Sequence, residues 1–230
     1  MDEQLATLLR ELLESDKTPD QTTLYYFSNL EAEEAARVRE TWSRLPADLR
    51  LALTSRLVEM AEVDFTLNFG AVFRIAMDDP DPDVRKVAIE GLWEDQDVRL
   101  VPRLAERLEK DESASVRAAA AKSLGRFILL GELQKIRPKP LSVAYEALVK
   151  AYTTSHQEPD VQRRALESLA YIGNESVIAS IREAYASARE RLRVSAVFAM
   201  GRSADVRWEE EVKQELFNIN PEMRYEAARA

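Results

Sequence analysis

Few residues of this chain have the types and spacing that enzyme chemistry requires. Its one histidine, His156, lies in the polar stretch TTSHQEPD, so a serine–histidine–acid triad would place its general base in a solvated turn. The absence of cysteine excludes a thiol nucleophile, disulfides and a sulfur-ligated metal. The six glycines are dispersed and form no phosphate-binding loop. We therefore predict a protein without catalytic residues, resident metal or cofactor.

The acidic run from Asp78 to Asp83 is the one stretch that resembles a metal site. If Asp79 is the first residue of a calcium loop, acids occupy positions 1, 3 and 5, and Glu90 occupies position 12. The sixth position requires glycine and is Val84 instead. The same residues have the pattern of a helix start, with a capping aspartate followed by proline. We interpret these acids as helix caps.

The elements that would position any functional residue are specified by a repeated apolar pattern. A large apolar residue is followed four places later by alanine and, in all but the last set, four places after that by Leu or Met. The first residues of successive sets are 32, 45, 31 and 31 positions apart. This spacing forms one helical stripe, and repetition at such a period predicts a solenoid. The sets are Val84/Ala88/Leu92, Val116/Ala120/Leu124, Val161/Ala165/Leu169, Leu192/Ala196/Met200 and Met223/Ala227.

The position after the first stripe residue is Arg in four sets, and in the Val161 set it is Gln162. We expect the arginines Arg85, Arg117, Arg193 and Arg224 to pair with acids of neighbouring repeats. An amphipathic segment precedes each striped helix, which gives a helix–turn–helix unit of about 31 residues.

The stretches DPDPDVRKVAIEGL, ASVRAAAAKSLGRF and PDVQRRALESLAYIG resemble HEAT repeats, of the short bacterial type also found in phycobilin lyases. The resemblance covers about residues 65–230. It implies an all-α fold, a right-handed α-α superhelix (α-solenoid) of HEAT-like helical hairpins. Such a fold determines the architecture far better than the function, because solenoids bind many unrelated molecules.

The charge distribution separates residues 1–64 from the repeats. The chain carries 41 acidic and 32 basic residues, and residues 1–64 hold 14 of the acids against 7 of the bases. We predict an acidic N-terminal helical cap over 1–64, packed on the solenoid, and about five HEAT-like repeats over 65–230. An acidic partner-binding surface on 1–64 is the alternative. Without an apolar run of membrane-spanning length or a signal-peptide pattern, we expect a cytoplasmic protein.

Two irregularities interrupt the repeats. The longer interval contains Gly131–Pro140, which is polar and carries two prolines. It favours a lengthened surface loop or a short extra helix, and a basic recognition loop of Lys135, Arg137 and Lys139 is the alternative. The final set lacks its third stripe residue, so we expect a longer parent protein with further repeats.

The resemblance to HEAT repeats also identifies a surface, because the second helices of such repeats line the concave face. With the stripe at offsets 0, 4 and 8, the opposite side of each helix lies at offsets 2, 6 and 9. This side carries aromatic residues and arginine among its charges, as interaction hot spots do. The tentative binding residues are Lys86, Glu90, Trp93, Lys122, Arg163, Glu167, Val194, Phe198 and Tyr225.

These observations predict a non-enzymatic scaffold that binds a partner protein, or an adjoining domain of its own chain, on the concave face. The alternative is a ligand- or chromophore-handling protein like the phycobilin lyases, for which Glu90, Glu167 and Trp93 are the candidate residues. A nucleic-acid-binding protein or DNA glycosylase is disfavoured, because acids nearly balance the basic residues even within the repeats.

Overall fold

The structure, a computed structural model, describes residues 3–15, 17–154 and 157–230; His156 lies outside them. These residues form fourteen α-helices and two 3₁₀ turns, Tyr25–Phe27 and Val206–Trp208, and contain no strand. The fold is therefore all-α, as predicted. The helices are α1 Glu3–Glu14, α2 Gln21–Leu24, α3 Ala32–Trp42, α4 Ala47–Val63, α5 Gly70–Ala76, α6 Pro82–Gly91, α7 Leu100–Lys110, α8 Ala114–Glu132, α9 Pro138–Thr153, α10 Pro159–Leu169, α11 Glu175–Tyr185, α12 Glu190–Ser203, α13 Glu209–Glu215 and α14 Pro221–Arg229.

The helices belong to two compact units, Met1–Asp95 (unit 1) and Gln96–Ala230 (unit 2). Unit 2 consists of four helical hairpins, α7/α8, α9/α10, α11/α12 and α13/α14. Its second helices pack successively, α8 against α10, α10 against α12 and α12 against α14. This side-by-side stacking of equivalent helices is the packing of an α-solenoid.

Unit 1 contains the first striped hairpin, α5/α6, together with the N-terminal helices. Here α3 packs against α5 and α4 against α6, so equivalent helices again lie side by side. The buried carboxylate of Asp79, in the turn between α5 and α6, accepts hydrogen bonds from Arg50 Nε (2.6 Å) and Trp42 Nε1 (2.7 Å). These contacts hold α3 and α4 against the first hairpin. The separate role of residues 1–64 as a cap stays a prediction.

The apolar stripes form the core of the hairpins. All fourteen stripe residues are at most 5% exposed, from Val84 in α6 to Ala227 in α14. The alanines at the middle positions allow close approach of neighbouring helices. Gly125 in α8 serves the same purpose, because a Cβ there would lie 2.7 Å from Ser168 Oγ of α10. The predicted phase of each second helix is confirmed at these buried positions.

Three of the repeated arginines bind the turn of their own hairpin. Arg117 Nη1 donates to the carbonyl oxygens of Asp111 (2.9 Å) and Glu112 (3.1 Å), five and six residues before it. Arg224 donates in the same way to residues 218 and 219, and Arg85 to residues 79 and 80. We call these three residues the turn arginines.

The turn residue six positions before each turn arginine forms a matching local contact. The side-chain oxygen of Asp79, Asp111 or Asn218 accepts the backbone N–H two residues later, at 2.8–3.0 Å. The expectation of an acidic partner in the neighbouring repeat thus missed the backbone carbonyls as acceptors. The expected pairing with an acid of the neighbouring repeat is found for Arg193, whose guanidinium lies 3.5 Å from Glu215 of the next hairpin.

The insertion predicted over Gly131–Pro140 is taken up by longer helices, so the predicted long loop and the extra helix are both wrong. Helix α8 continues to Glu132 and α9 begins at Pro138, which leaves five connecting residues. Helix α8 continues because Gly131 lets Leu141 approach; a Cβ at 131 would lie 2.5 Å from its Cδ1. Pro138 is tolerated because the first helical position has no N–H to satisfy. Lys139 belongs to α9, so the three basic residues do not share one loop.

We predict that Arg117→Ala lowers the free energy of unfolding of unit 2 by about 1–3 kcal/mol, because the turn carbonyls lose a charged donor. Urea unfolding followed by circular dichroism measures the change. Lys122→Ala is the matched control, since Lys122 is exposed on the same helix. Equal effects of the two substitutions would contradict a stabilising role for the turn arginine.

Candidate functional site

The nine predicted binding residues differ widely in exposure. Four are exposed: Glu90, Trp93, Lys122 and Tyr225. Three are half-buried: Lys86, Arg163 and Phe198. Glu167 and Val194 are buried, at 6% and 3% exposure, so the prediction that they face a partner is wrong. Lys86, Glu90 and Trp93 belong to unit 1, and the other six belong to unit 2.

Glu167 and Val194 are buried because the second helices α10 and α12 (the inner helices) are packed on both flanks. Helix α10 contacts α8 on one flank and α12 on the other, and α12 contacts α10 and α14. Offset 2 in α12 and offset 6 in α10 therefore face a neighbouring helix although they lie away from the stripe. Only a narrow strip of each inner helix remains accessible.

Glu167 is part of a polar network that joins α10 to α12. Its Oε1 accepts the hydroxyl of Ser195 at 2.6 Å, and its Oε2 accepts Arg164 Nη1 at 2.7 Å. Arg163 Nε donates to the same Ser195 oxygen at 2.9 Å, while its Nη1 contacts Asp160. The network satisfies the buried carboxylate within the protein, so Glu167 and Arg163 have structural partners.

Aromatic rings and guanidinium groups alternate from the turn that follows α10, across α12, to α14. The Arg202 guanidinium lies 4.7 Å from the ring centroid of Tyr171 and 4.3 Å from that of Phe198. Arg229 lies 5.4 Å from Phe198 and 5.5 Å from Tyr225. These five residues, in the order Tyr171, Arg202, Phe198, Arg229 and Tyr225, form what we call the Arg–aromatic ladder. Each contact is within the range of a cation–π interaction.

Burial shifts the pKa of one charged group in the Arg–aromatic ladder and of one beside it. Desolvation lowers the pKa of Arg202, against the opposing effects of Tyr171 and Glu167. Burial also raises the pKa of the neighbouring Glu226 carboxyl, although Arg229 opposes the change. Arg202 Nη1 donates to the backbone oxygen of Glu167 at 3.1 Å. A stacked guanidinium retains in-plane N–H donors, so the ladder can bind a planar carboxylate and an apolar group together.

Tyr171 and Arg202 were missed by the sequence analysis. Both lie ten positions after the first stripe residue of their repeat, one place beyond the offsets considered. At 100° per residue, offset 10 lies about 40° from offset 6 on the same side of the helix. Extending the helical projection by one residue would have identified both.

The ligand-handling interpretation depended on Glu90, Trp93 and Glu167. Glu90 and Trp93 lie in unit 1, whereas Glu167 lies in unit 2. The Glu167 carboxylate is buried and already bound by Arg164 and Ser195. Glu167, which the sequence predicted to be an acid of a ligand site, is therefore part of the packing between helices.

Comparison with known proteins adds the family of the repeats. The family model of HEAT repeats matches residues 71–139. This part of the chain is similar to HEAT repeats. No curated protein matches the chain. The matched segment contains α6 and α8, two of the striped helices on which the resemblance was based.

Solved structures similar to this chain include the following three. The complex of CpcE and CpcF of phycocyanin lyase from Nostoc sp. PCC7120 has a TM-score of 0.52 at 21% identity, covering 74% of this chain and 99% of that chain. Human deoxyhypusine hydroxylase in complex with glycerol has a TM-score of 0.37 at 16% identity, with 98% and 94% covered. A designed armadillo repeat protein has a TM-score of 0.43 at 17% identity, with 96% and 97% covered. The similarity to the phycocyanin lyase complex supports the all-α solenoid fold alone.

Metal sites and membrane-spanning helices are two further classes of feature that the described ranges were expected to lack. No group of three or more His, Cys, Asp or Glu residues within 3–15, 17–154 and 157–230 could hold a metal ion. In the same part of the chain, every helix is too short or too polar to span a bilayer. The acids at the start of α6 act as caps, since Asp81 Oδ1 accepts the N–H of Asp83 at 2.8 Å.

We predict that Glu167→Ala destabilises unit 2 by about 1.5–3 kcal/mol. Ser195 and Arg164 lose the buried carboxylate that accepts their hydrogen bonds, and Arg163 contacts a Ser195 that is no longer held by Glu167. Thermal unfolding measures the change. Glu90→Ala replaces an exposed glutamate at the equivalent offset of α6 and should leave the midpoint nearly unchanged. A Glu167→Ala midpoint equal to that of Glu90→Ala would contradict the structural role.

Proposed function

We propose that this chain is a non-enzymatic scaffold that binds a partner protein through the Arg–aromatic ladder of unit 2. The observation that supports the proposal most directly is the state of Arg202. Its half-buried guanidinium is stacked between two rings, donates to the backbone oxygen of Glu167, and forms no ion pair within 4 Å in the described part of the chain. A partly desolvated charge with no carboxylate in direct contact is stabilised when a partner supplies one.

The composition of the ladder fits a protein interface. Tyrosine and arginine are enriched among residues that dominate binding energy, and rings stacked on guanidinium groups lose little side-chain entropy on binding. Tyr225 is 61% exposed and Phe198 is half-buried, so the ladder offers ring surface to a partner. We infer that the partner presents a carboxylate to Arg202 and an apolar side chain to Phe198 and Tyr225.

A protein partner is favoured over nucleic acid by the ion pairs of three arginines in and near the ladder. Arg163 is paired with Asp160, Arg164 with Glu167 and Arg229 with Glu226. Phosphate backbones require a concentration of basic groups whose charge is not already neutralised. A single arginine without a direct ion pair, beside three paired ones, suits one carboxylate better than a row of phosphates. The partner is a separate protein or a further domain of the same chain.

We predict that Tyr225→Ala weakens partner binding about tenfold or more, because it removes exposed ring surface and the stacking on Arg229. Affinity capture from the lysate of the cell that makes the protein, with and without nuclease, compares wild type with the variant. Phe217→Ala is the matched control, since Phe217 is an 88% exposed aromatic residue of unit 2 outside the ladder.

Arg202→Lys provides a second variant for the same capture. It retains the positive charge but loses the planar stacking and the bidentate geometry, so it should also reduce capture. A protein retained by wild type and Phe217→Ala, but lost from both ladder variants, would support the proposal. Capture that disappears with nuclease, or that is equal for all four proteins, would contradict it.

A further inference from the structure

A second surface with a different chemistry lies entirely within unit 1. The residues around the end of α6 and the start of α5 enclose an open cleft of about 360 Å³. Phe65 and Trp93 stand at its edge, with ring centroids 6.5 Å apart and planes inclined at 73°. Asn68, Arg74, Glu94 and Asp95 contribute polar groups to the lining. We call this space the Phe65–Trp93 cleft.

The two rings are held in the cleft but are not part of the core. Phe65 is 70% exposed and Trp93 is 45% exposed, whereas the other tryptophans, Trp42 and Trp208, are 5% and 3% exposed. Leu92, the stripe residue before Trp93, is 1% exposed and anchors the end of α6. Because the anchoring residue is buried next to it, Trp93 remains in place without burying its own ring.

Two nearly perpendicular rings form an angle that suits a cation. A positive group is attracted to a ring face within about 6 Å of its centroid, and tryptophan is the most effective ring. Since the two centroids are 6.5 Å apart, one cation can lie within that distance of both. Quaternary ammonium groups are recognised in proteins by aromatic rings placed around the cation.

The charge of unit 1 favours the same ligand. Residues 1–95 hold 21 acidic and 10 basic residues, a net charge of −11, whereas residues 96–230 hold 20 and 22, a net charge of +2. In the cleft, Asp95 forms an ion pair with Arg74. Glu94 is exposed and lies in the same lining without an ion-pair partner in the described part of the chain. A cation in the cleft would be attracted by Glu94 and by the field of the unit.

We propose that the Phe65–Trp93 cleft binds an organic ammonium group, with Phe65 and Trp93 contacting the cation through their ring faces and Glu94 supplying the counter-charge. The group is either a free quaternary amine or the ammonium side chain of a lysine or methylated lysine. This site is separate in residues and opposite in charge preference from the Arg–aromatic ladder.

Choline and its uncharged tert-butyl isostere, in which carbon replaces the quaternary nitrogen, provide a direct test. Both carry equivalent methyl protons that ligand-observed NMR can follow with the intact chain. Choline should bind at least about tenfold more tightly than the isostere, because only the cation interacts with the ring faces and Glu94. Equal binding would show an apolar cleft and overturn the proposal, as would the absence of choline binding.

Substitutions assign the interaction to the named residues. Trp93→Ala should abolish choline binding, Trp93→Phe should weaken it several-fold, and Glu94→Gln should weaken it and reduce its salt dependence. Phe217→Ala should leave it unchanged, and thermal unfolding checks that Trp93→Ala remains folded. Choline binding that survives Trp93→Ala in the folded protein would place the site elsewhere and overturn the assignment.

A short peptide carrying trimethyl-lysine, compared with the same peptide carrying norleucine, distinguishes the two sources of the cation. If the trimethyl-lysine peptide binds more tightly than both choline and the norleucine peptide, the cation is a side chain on a protein. If it binds no more tightly than choline, the cation is a free amine. Either result agrees with the ammonium site. Because the Arg–aromatic ladder is not involved, loss of partner capture by Tyr225→Ala does not depend on this result.

Discussion

The turn arginines solve a problem that every hairpin of this solenoid shares. Each hairpin must reverse the chain tightly enough to bury one apolar stripe, and the reversal leaves backbone carbonyls without helical partners. Arg85, Arg117 and Arg224 donate to those carbonyls from the first turn of the second helix, at a constant separation of five and six residues. The contact fixes the start of the second helix relative to the turn, so equivalent helices of successive repeats can stack in the same orientation. In these three hairpins, burial of the stripe depends on that alignment.

Stacking of the second helices limits where function can reside. An inner helix such as α10 buries its stripe within its own hairpin and both flanks against neighbouring helices. Even its charged groups therefore take part in the packing. Glu167 and Ser195 show this, because their hydrogen bond crosses from one repeat to the next at 2.6 Å. The accessible strip that remains in unit 2 is narrow, and in it arginine and aromatic side chains stack on one another across three helices. The repeat thus aligns residues more than thirty positions apart in the sequence, such as Tyr171 and Arg202.

The sequence predicts the elements of this fold well because their determinants are local. The stripe positions, the proline at the start of α6 and the phase of each second helix follow from spacing alone, and the structure buries every stripe residue. Contacts that depend on neighbouring elements could not be predicted in the same way. The carbonyl partners of Arg117 have no side-chain identity, and the burial of Glu167 depends on α12 covering its flank. The continuation of α8 through Gly131 depends on Leu141, which lies on the next helix.

The two units use one architecture for surfaces of opposite chemistry. In both, the stripe residues are buried in the core, so exposed residues can differ without altering that packing. Unit 1 combines a net charge of −11 with two exposed rings and a carboxylate, whereas unit 2 has a net charge of +2 and stacks its rings on arginines. Aromatic rings are common to both sites, because a ring face accepts a cation whether it belongs to the protein or to a ligand. Where the protein supplies the cation, as Arg202 does, the site prefers a carboxylate; where it supplies only rings and an acid, as at Trp93, the site prefers an ammonium group.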